Sequence, residues 1–102
     1  MSLPVLITPE AERDLARALE WHDKVRAGLG AQFELRFEEA LDHIARYPLA
    51  QPAVYREARR VLLAQFKYHV YYVIHLNRIY IGAIIHASRH PRVWKRRLRG
   101  ED

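Results

Sequence analysis

The residue types that could do chemistry gather in the second half of this chain. Arg60, His69, His86 and Arg89 come in that order, and Arg92, Trp94, Lys95, Arg96 and Arg97 follow closely. Guanidinium groups pair bidentately with phosphates and carboxylates, so the arginines predict contact with an anionic or acidic macromolecule. Imidazoles titrate near neutral pH, which makes His69, His86 and His90 the candidates for proton transfer. His86 ends an apolar run, and there its simpler role is to satisfy a backbone group. Tyr68, Tyr71, Tyr72 and Tyr80 could stack bases, yet at strand positions they are expected to be sheet residues. Trp94 is expected to pack over the sheet and pin a terminal helix, its alternative being an exposed anchor for a partner.

Other chemistries lack their residues. The chain has no cysteine, which removes thiolate nucleophiles, disulfides and thiolate zinc sites and suits a reducing compartment such as the cytoplasm. His22 and His43 fall on different predicted helices without ligand spacing, so no metal is expected. The glycines never assemble into a phosphate-cradling loop, so no dinucleotide or P-loop cofactor is expected. Neither a signal peptide nor an apolar stretch of membrane-spanning length is visible, so no membrane partner is expected.

Charge divides the chain. Through Tyr47 six basic residues meet nine acidic ones, a net −3; from Pro48 onward eleven basic residues meet three acidic ones, a net +8. A surface of one sign concentrates partners of the other, so the second half is expected to meet a polyanion or an acidic protein segment.

The elements that must position these residues follow from spacing. A length of 102 residues, half of them apolar, suits one domain with its own core. Val5, Leu6 and Ile7 read as a short strand, and Thr8-Pro9-Glu10 supplies a hydroxyl cap, a proline for the first turn and an acid at the helix's positive end. Ala11, Leu15, Ala18, Trp21 or His22, and Val25 form one helical stripe, read as core, and Gly28 and Gly30 are expected to end that helix. Phe33, Phe37, Leu41, Ile44 and Tyr47 repeat the period until Pro48, predicting a second helix antiparallel to the first. Leu49 to Tyr55 reads as a loop. Arg60 to Phe66, His69 to His75 and Ile79 to His86 read as strands of an antiparallel meander, with Leu76-Asn77-Arg78 as the hairpin connection. A short helix should start at Pro91 and end in a frayed basic tail that includes Arg96 and Arg97.

Ala11-Glu12-Arg13-Asp14-Leu15 in the first helix, Tyr47-Pro48 closing the second, Arg60-Val61 on a strand, Phe66 through Tyr72 on the next and His86-x-x-Arg89-x-Pro91-x-x-Trp94 at the end stand in a telling order. The chain resembles the RelE/ParE superfamily of toxins from type II toxin–antitoxin systems over nearly its whole length. The resemblance implies an α+β fold, a short strand and helical hairpin packed on a small antiparallel sheet with a short C-terminal helix, and residues 1–102 as a single toxin domain. It also implies a growth inhibitor linked to plasmid stabilization, a cognate antitoxin with an acidic C-terminal segment, and operator DNA reached only through the antitoxin complex.

The superfamily's branches differ in chemistry. RelE-like members cleave messenger RNA on the ribosome with lysines, arginines and a C-terminal tyrosine, whereas characterised ParE-like members act on DNA gyrase. Metal-independent RNA cleavage needs a general base, cations for the phosphorane and a general acid. Arg60 and Arg89 stand at matching places. Ala58 replaces an expected lysine, His69 an expected arginine, and Trp94 with Lys95 replaces the tyrosine. An indole N–H only donates a hydrogen bond and cannot shuttle a proton. The resemblance therefore implies a ParE-like gyrase inhibitor that contacts its target through Arg60, Arg89, Arg92, Trp94 and Lys95. An mRNA endonuclease using Arg60, His69, His86 and Arg89 is the first alternative, and an inactive antitoxin-binding module the second.

Overall fold

The computed structural model describes residues 2–100. Its elements run β1 (Val5–Ile7), α1 (Pro9–Val25), α2 (Leu29–Arg46), β2 (Ala53–Tyr55), β3 (Ala58–Leu62), β4 (Tyr68–His75), β5 (Arg78–His86) and α3 (Pro91–Leu98). The architecture is α+β, with the helical hairpin, the sheet and the terminal helix in the expected order.

Capping chemistry starts α1 where the sequence places it. Thr8 is extended and its Oγ1 accepts the Ala11 amide, while Pro9 opens the first turn. The same threonine ties the cap to the sheet, because its N–H and its hydroxyl both donate to the Ile81 carbonyl, at 3.1 and 2.9 Å. Gly28, at φ +89°, caps α2 in the left-handed region that favours glycine. Gly30 does not end α1 as expected. It is buried in α2, and a Cβ added there would stand 2.8 Å from both the Asp23 carboxyl and the Leu19 carbonyl. Its amide donates to Asp23 Oδ1 at 2.8 Å, so the two helices approach through a missing side chain.

The sheet has the order β1-β5-β4-β3-β2. Strands β2 to β5 form an antiparallel meander, and β1 joins β5 in parallel at Ile79, Tyr80 and Ile81. Three local expectations change. The stretch read as a loop contains β2, too short to show a period. The strand expected over Arg60–Phe66 lies at Ala58–Leu62, because Gln65 and Lys67 take positive φ and turn the chain. Arg78 pairs with His75 inside the ladder, leaving a two-residue connection of Leu76 and Asn77, both at positive φ.

Both faces of the sheet are covered, and a bulge in β5 changes which of its residues face each side. Tyr71 pairs with Ala83 but its neighbour Tyr72 pairs with Ile81, leaving Gly82 as the extra residue. The insertion reverses the alternation of the strand. Ile79 and Ile81 join Val70, Tyr72, Phe33, Phe37 and Ile44 in the core beneath the hairpin, as does Ile84 beyond the bulge. Ala83 and Ile85 instead join Tyr71 and Trp94 beneath α3. Each large apolar side chain so buried contributes about 1.5–3 kcal/mol.

The predicted core stripe of α1 is narrower than expected. His22 is buried against Phe33, Phe66 and Tyr68, and its Nδ1 lies 2.6 Å from the Ala18 carbonyl. Trp21 and Val25, both read as core, are each 59% exposed, and Tyr47 on α2 is exposed as well. One helical face cannot bury both Trp21 and its neighbour His22, which point about 100° apart. The expected frayed tail is also corrected at Arg97, which lies inside α3 and is pinned to α1 by Asp14. No helix among the described residues is long and apolar enough to cross a membrane.

Candidate functional site

The site residues predicted from sequence separate into two groups. Arg60, His69, Trp94 and Lys95 belong to the face covered by α3. Strand alternation sets Arg60 opposite Tyr71 and His69 opposite Leu62 on that face. Trp94 stacks on Tyr71 with ring centroids 5.4 Å apart and planes inclined by 22°, and Tyr55 meets the indole edge-on at 6.1 Å. Arg60 lies over the Trp94 ring at 5.5 Å and the Tyr71 ring at 6.0 Å. Lys95 approaches the same indole at 5.6 Å and Tyr55 at 5.8 Å. Trp94 is 9% exposed, so its packing role holds and its indole acts by positioning these cations.

Electrostatics follow from this geometry. Burial, then the Arg60 charge, then His86 hold the His69 imidazole below its ordinary pKa of 6.5. Burial raises the Tyr71 hydroxyl, against the opposing pull of Arg60. Tyr55 moves the other way: a hydrogen bond from Arg99 at 3.3 Å lowers it, with Arg56, Arg99 and Lys95 adding their charge. No ion pair among the described residues engages Arg60, Arg92 or Lys95. The face therefore presents cations on an aromatic base, an arrangement suited to gripping phosphate or carboxylate groups.

His86 and Arg89 lie elsewhere. Together with Asp14, Arg17, Trp21, Tyr68, Ile84, Val93 and Arg97 they line a cleft of about 340 Å³ between α1 and α3. His86 packs edge-on to Tyr68 at 5.1 Å, and its Nδ1 accepts the Ser88 amide at 3.0 Å, with the Ser88 hydroxyl at 2.8 Å. That acceptor role leaves Nε2 to carry the proton of the neutral ring. His90 has a structural task, since its Nδ1 accepts the Arg92 amide and caps α3. The four residues of the nuclease alternative thus divide between a face and a cleft.

Sequence reading missed the part Asp14 plays at the cleft wall. Asp14 Oδ2 accepts the Ile84 amide at 2.9 Å, and Arg97 donates to the Gly82 carbonyl at 3.3 Å. Both groups belong to the stretch of β5 that β1 leaves uncovered, so the pair caps an edge as well as joining two helices. A helical aspartate between two arginines gave no signal beyond charge, because its partner is near the other end of the chain.

A helical hairpin on one face of a small mainly antiparallel sheet, with a short terminal helix on the other, is the α+β fold of the RelE/ParE type. The family described as the ParE toxin of the type II toxin–antitoxin system, parDE, matches residues 5–91, and the chain belongs to that family. Among solved structures, the chromosomal ParDE toxin–antitoxin system from P. aeruginosa aligns with a TM-score of 0.65 at 11% identity, covering 85% of this chain and 98% of that one. A double arginine-to-alanine mutant of E. coli toxin RelE in the free state aligns with a TM-score of 0.60 at 12% identity, covering 98% of each chain. At such identities these two structures share the fold. No curated protein matches the sequence significantly.

Proposed function

We propose that the protein arrests growth by binding DNA gyrase through the α3 face, without turning over a substrate, and that a cognate antitoxin silences it. Membership of the ParE family supports the branch. The observation that carries the reading is Arg60 held over Trp94 and Tyr71 with Lys95 on the same indole, a cationic surface with no carboxylate paired to it among the described residues. Arg92, on the exposed side of α3, and Arg89, at the cleft, extend the contact. Trp94 contributes by fixing the cations. The antitoxin's acidic C-terminal segment is attracted by the basic half, lies along the hairpin and adds a strand at the free edge of β2. Operator DNA is reached only through that complex.

One observation favours mRNA cleavage as a second reading. His69 stands on the same face as Arg60, and burial and then the Arg60 charge hold its imidazole below the ordinary pKa, as suits a general base next to a phosphate-binding cation. The test assays the purified protein for inhibition of gyrase supercoiling and for translation-coupled RNA cleavage. Arg60→Glu and Lys95→Glu should abolish the first while leaving the melting temperature near that of the parent. Cleavage that disappears in His69→Gln would establish the enzyme instead. If neither activity nor growth arrest is found, the chain serves as an antitoxin-binding module.

A further inference from the structure

The cleft between α1 and α3 carries charge that the hairpin does not neutralise. Arg13, Lys24, Arg36 and Arg46 each lie near a carboxylate about one turn away on their own helix. Arg17 has no such ion pair among the described residues. Asp14, the only carboxylate on the cleft wall among the described residues, is committed to Arg97 and to the Ile84 amide. Two guanidinium groups, Arg17 and Arg89, therefore share a concave site in which no further acid among the described residues is left to pair with them.

Trp21 stands one turn beyond Arg17, on the same side of α1, with its ring largely open to solvent. An exposed indole and two arginines lining one cleft offer a stacking platform and an anion clamp. The floor of the cleft argues against an extended peptide. Asp14 already takes the Ile84 amide on the free edge of β5, a backbone donor that an added strand would need. The volume, near the lower end of ligand-site sizes of about 300–1,000 Å³, suits a compact group.

We propose that this cleft binds a nucleotide unit, its phosphate held by Arg17 and Arg89 and its base stacked on Trp21. His86, with Nδ1 occupied by Ser88, presents Nε2–H as a further donor to the phosphate. The site shares Arg89 with the contact proposed above but otherwise lies in the cleft between α1 and α3, and the proposal does not rest on gyrase as the target.

The chain has two tryptophans, and Trp94 is packed on Tyr71, so quenching of exposed indole emission reports on Trp21. Titrating the purified protein with adenosine monophosphate should quench that emission saturably. Arg17→Ala and Arg89→Ala should each weaken binding by about tenfold. By calorimetry Trp21→Ser should weaken it too, whereas Arg46→Ala, an equal loss of charge outside the cleft, should not. Melting temperatures near the parent value would exclude unfolding. A short single-stranded oligonucleotide that binds tighter through the same residues identifies a polymer as the source of the unit; equal binding identifies the free nucleotide. Absence of saturation, inorganic phosphate binding as tightly as the nucleotide, full binding by Trp21→Ser, or an acidic peptide occupying the cleft in its place would overturn the proposal.

Discussion

Asp14 on α1 and Arg97 on α3 lie 83 positions apart in the chain, yet they form a bidentate ion pair with N···O distances of 2.7 and 2.8 Å. The side chains are only 6% and 16% exposed. Because Asp14 also accepts from Ile84 and Arg97 donates to Gly82, the pair staples both helices to β5 at its bulge. The α3 face consequently inherits its geometry from a residue of the first helix.

Breaking this pair by removing Asp14 takes away the buried carboxylate that binds both Arg97 and the Ile84 amide. Asp14→Ala should cost about 3–5 kcal/mol of stability, read as a lower urea midpoint. Replacing both partners with apolar residues, Asp14→Leu with Arg97→Met, should cost less than the single change. A single variant as stable as the parent would show that water reaches the pair.

Gly30 offers a second test. A methyl group there would press on the Asp23 carboxyl and on the Leu19 carbonyl, and backbone cannot yield as a flexible side chain does. Gly30→Ala should destabilise the fold by about 1–3 kcal/mol, although alanine is the better helix former. Thermal unfolding with an unchanged or higher midpoint would contradict this account of the hairpin.

The pH response should carry the signature of His69. Its folded pKa lies below the ordinary 6.5, first through burial and then through Arg60 and His86. An unfolded chain therefore takes up this proton before the folded one does as pH falls. The associated stability is complete above the unfolded value and is lost as pH drops through the lower folded one. His69→Gln should flatten that loss. In an NMR titration the imidazole should protonate with a midpoint under 6.5, moving upward in Arg60→Ala; a parent midpoint above 6.5 would refute the assignment.

At the β4–β5 connection, Leu76 occupies φ +49° while its side chain is exposed. A leucine gains nothing there and resists the left-handed region, which asparagine tolerates. Leu76→Asn should raise stability by about 0.5–1 kcal/mol, measured by chemical denaturation. A loss of stability would mean that the leucine makes contacts worth more than its strain.

Periodicity and capping made the helices legible. Thr8-Pro9 marked the start of α1, Pro48 the stop of α2, and the apolar spacing of Phe33, Phe37 and Ile44 the buried side. These signals are local, so neighbouring residues suffice to state them. Arg60, His69 and Trp94 were singled out as candidates from their types and from the family resemblance. Their separation from His86 and Arg89 was not, since a register shift at Gly82 and the side of the sheet on which α3 lands decide it.

The sequence was enough to state the order of the helices and of the longer strands and the basic character of the second half, and its motifs carried the resemblance to RelE/ParE toxins. Three-dimensional packing alone decided that Trp21 faces solvent while His22 is buried, that β1 joins β5 in parallel, and that Asp14 meets Arg97. Helical period and end caps are written in adjacent residues, whereas pairings across 70 or 83 positions depend on where whole elements come to rest.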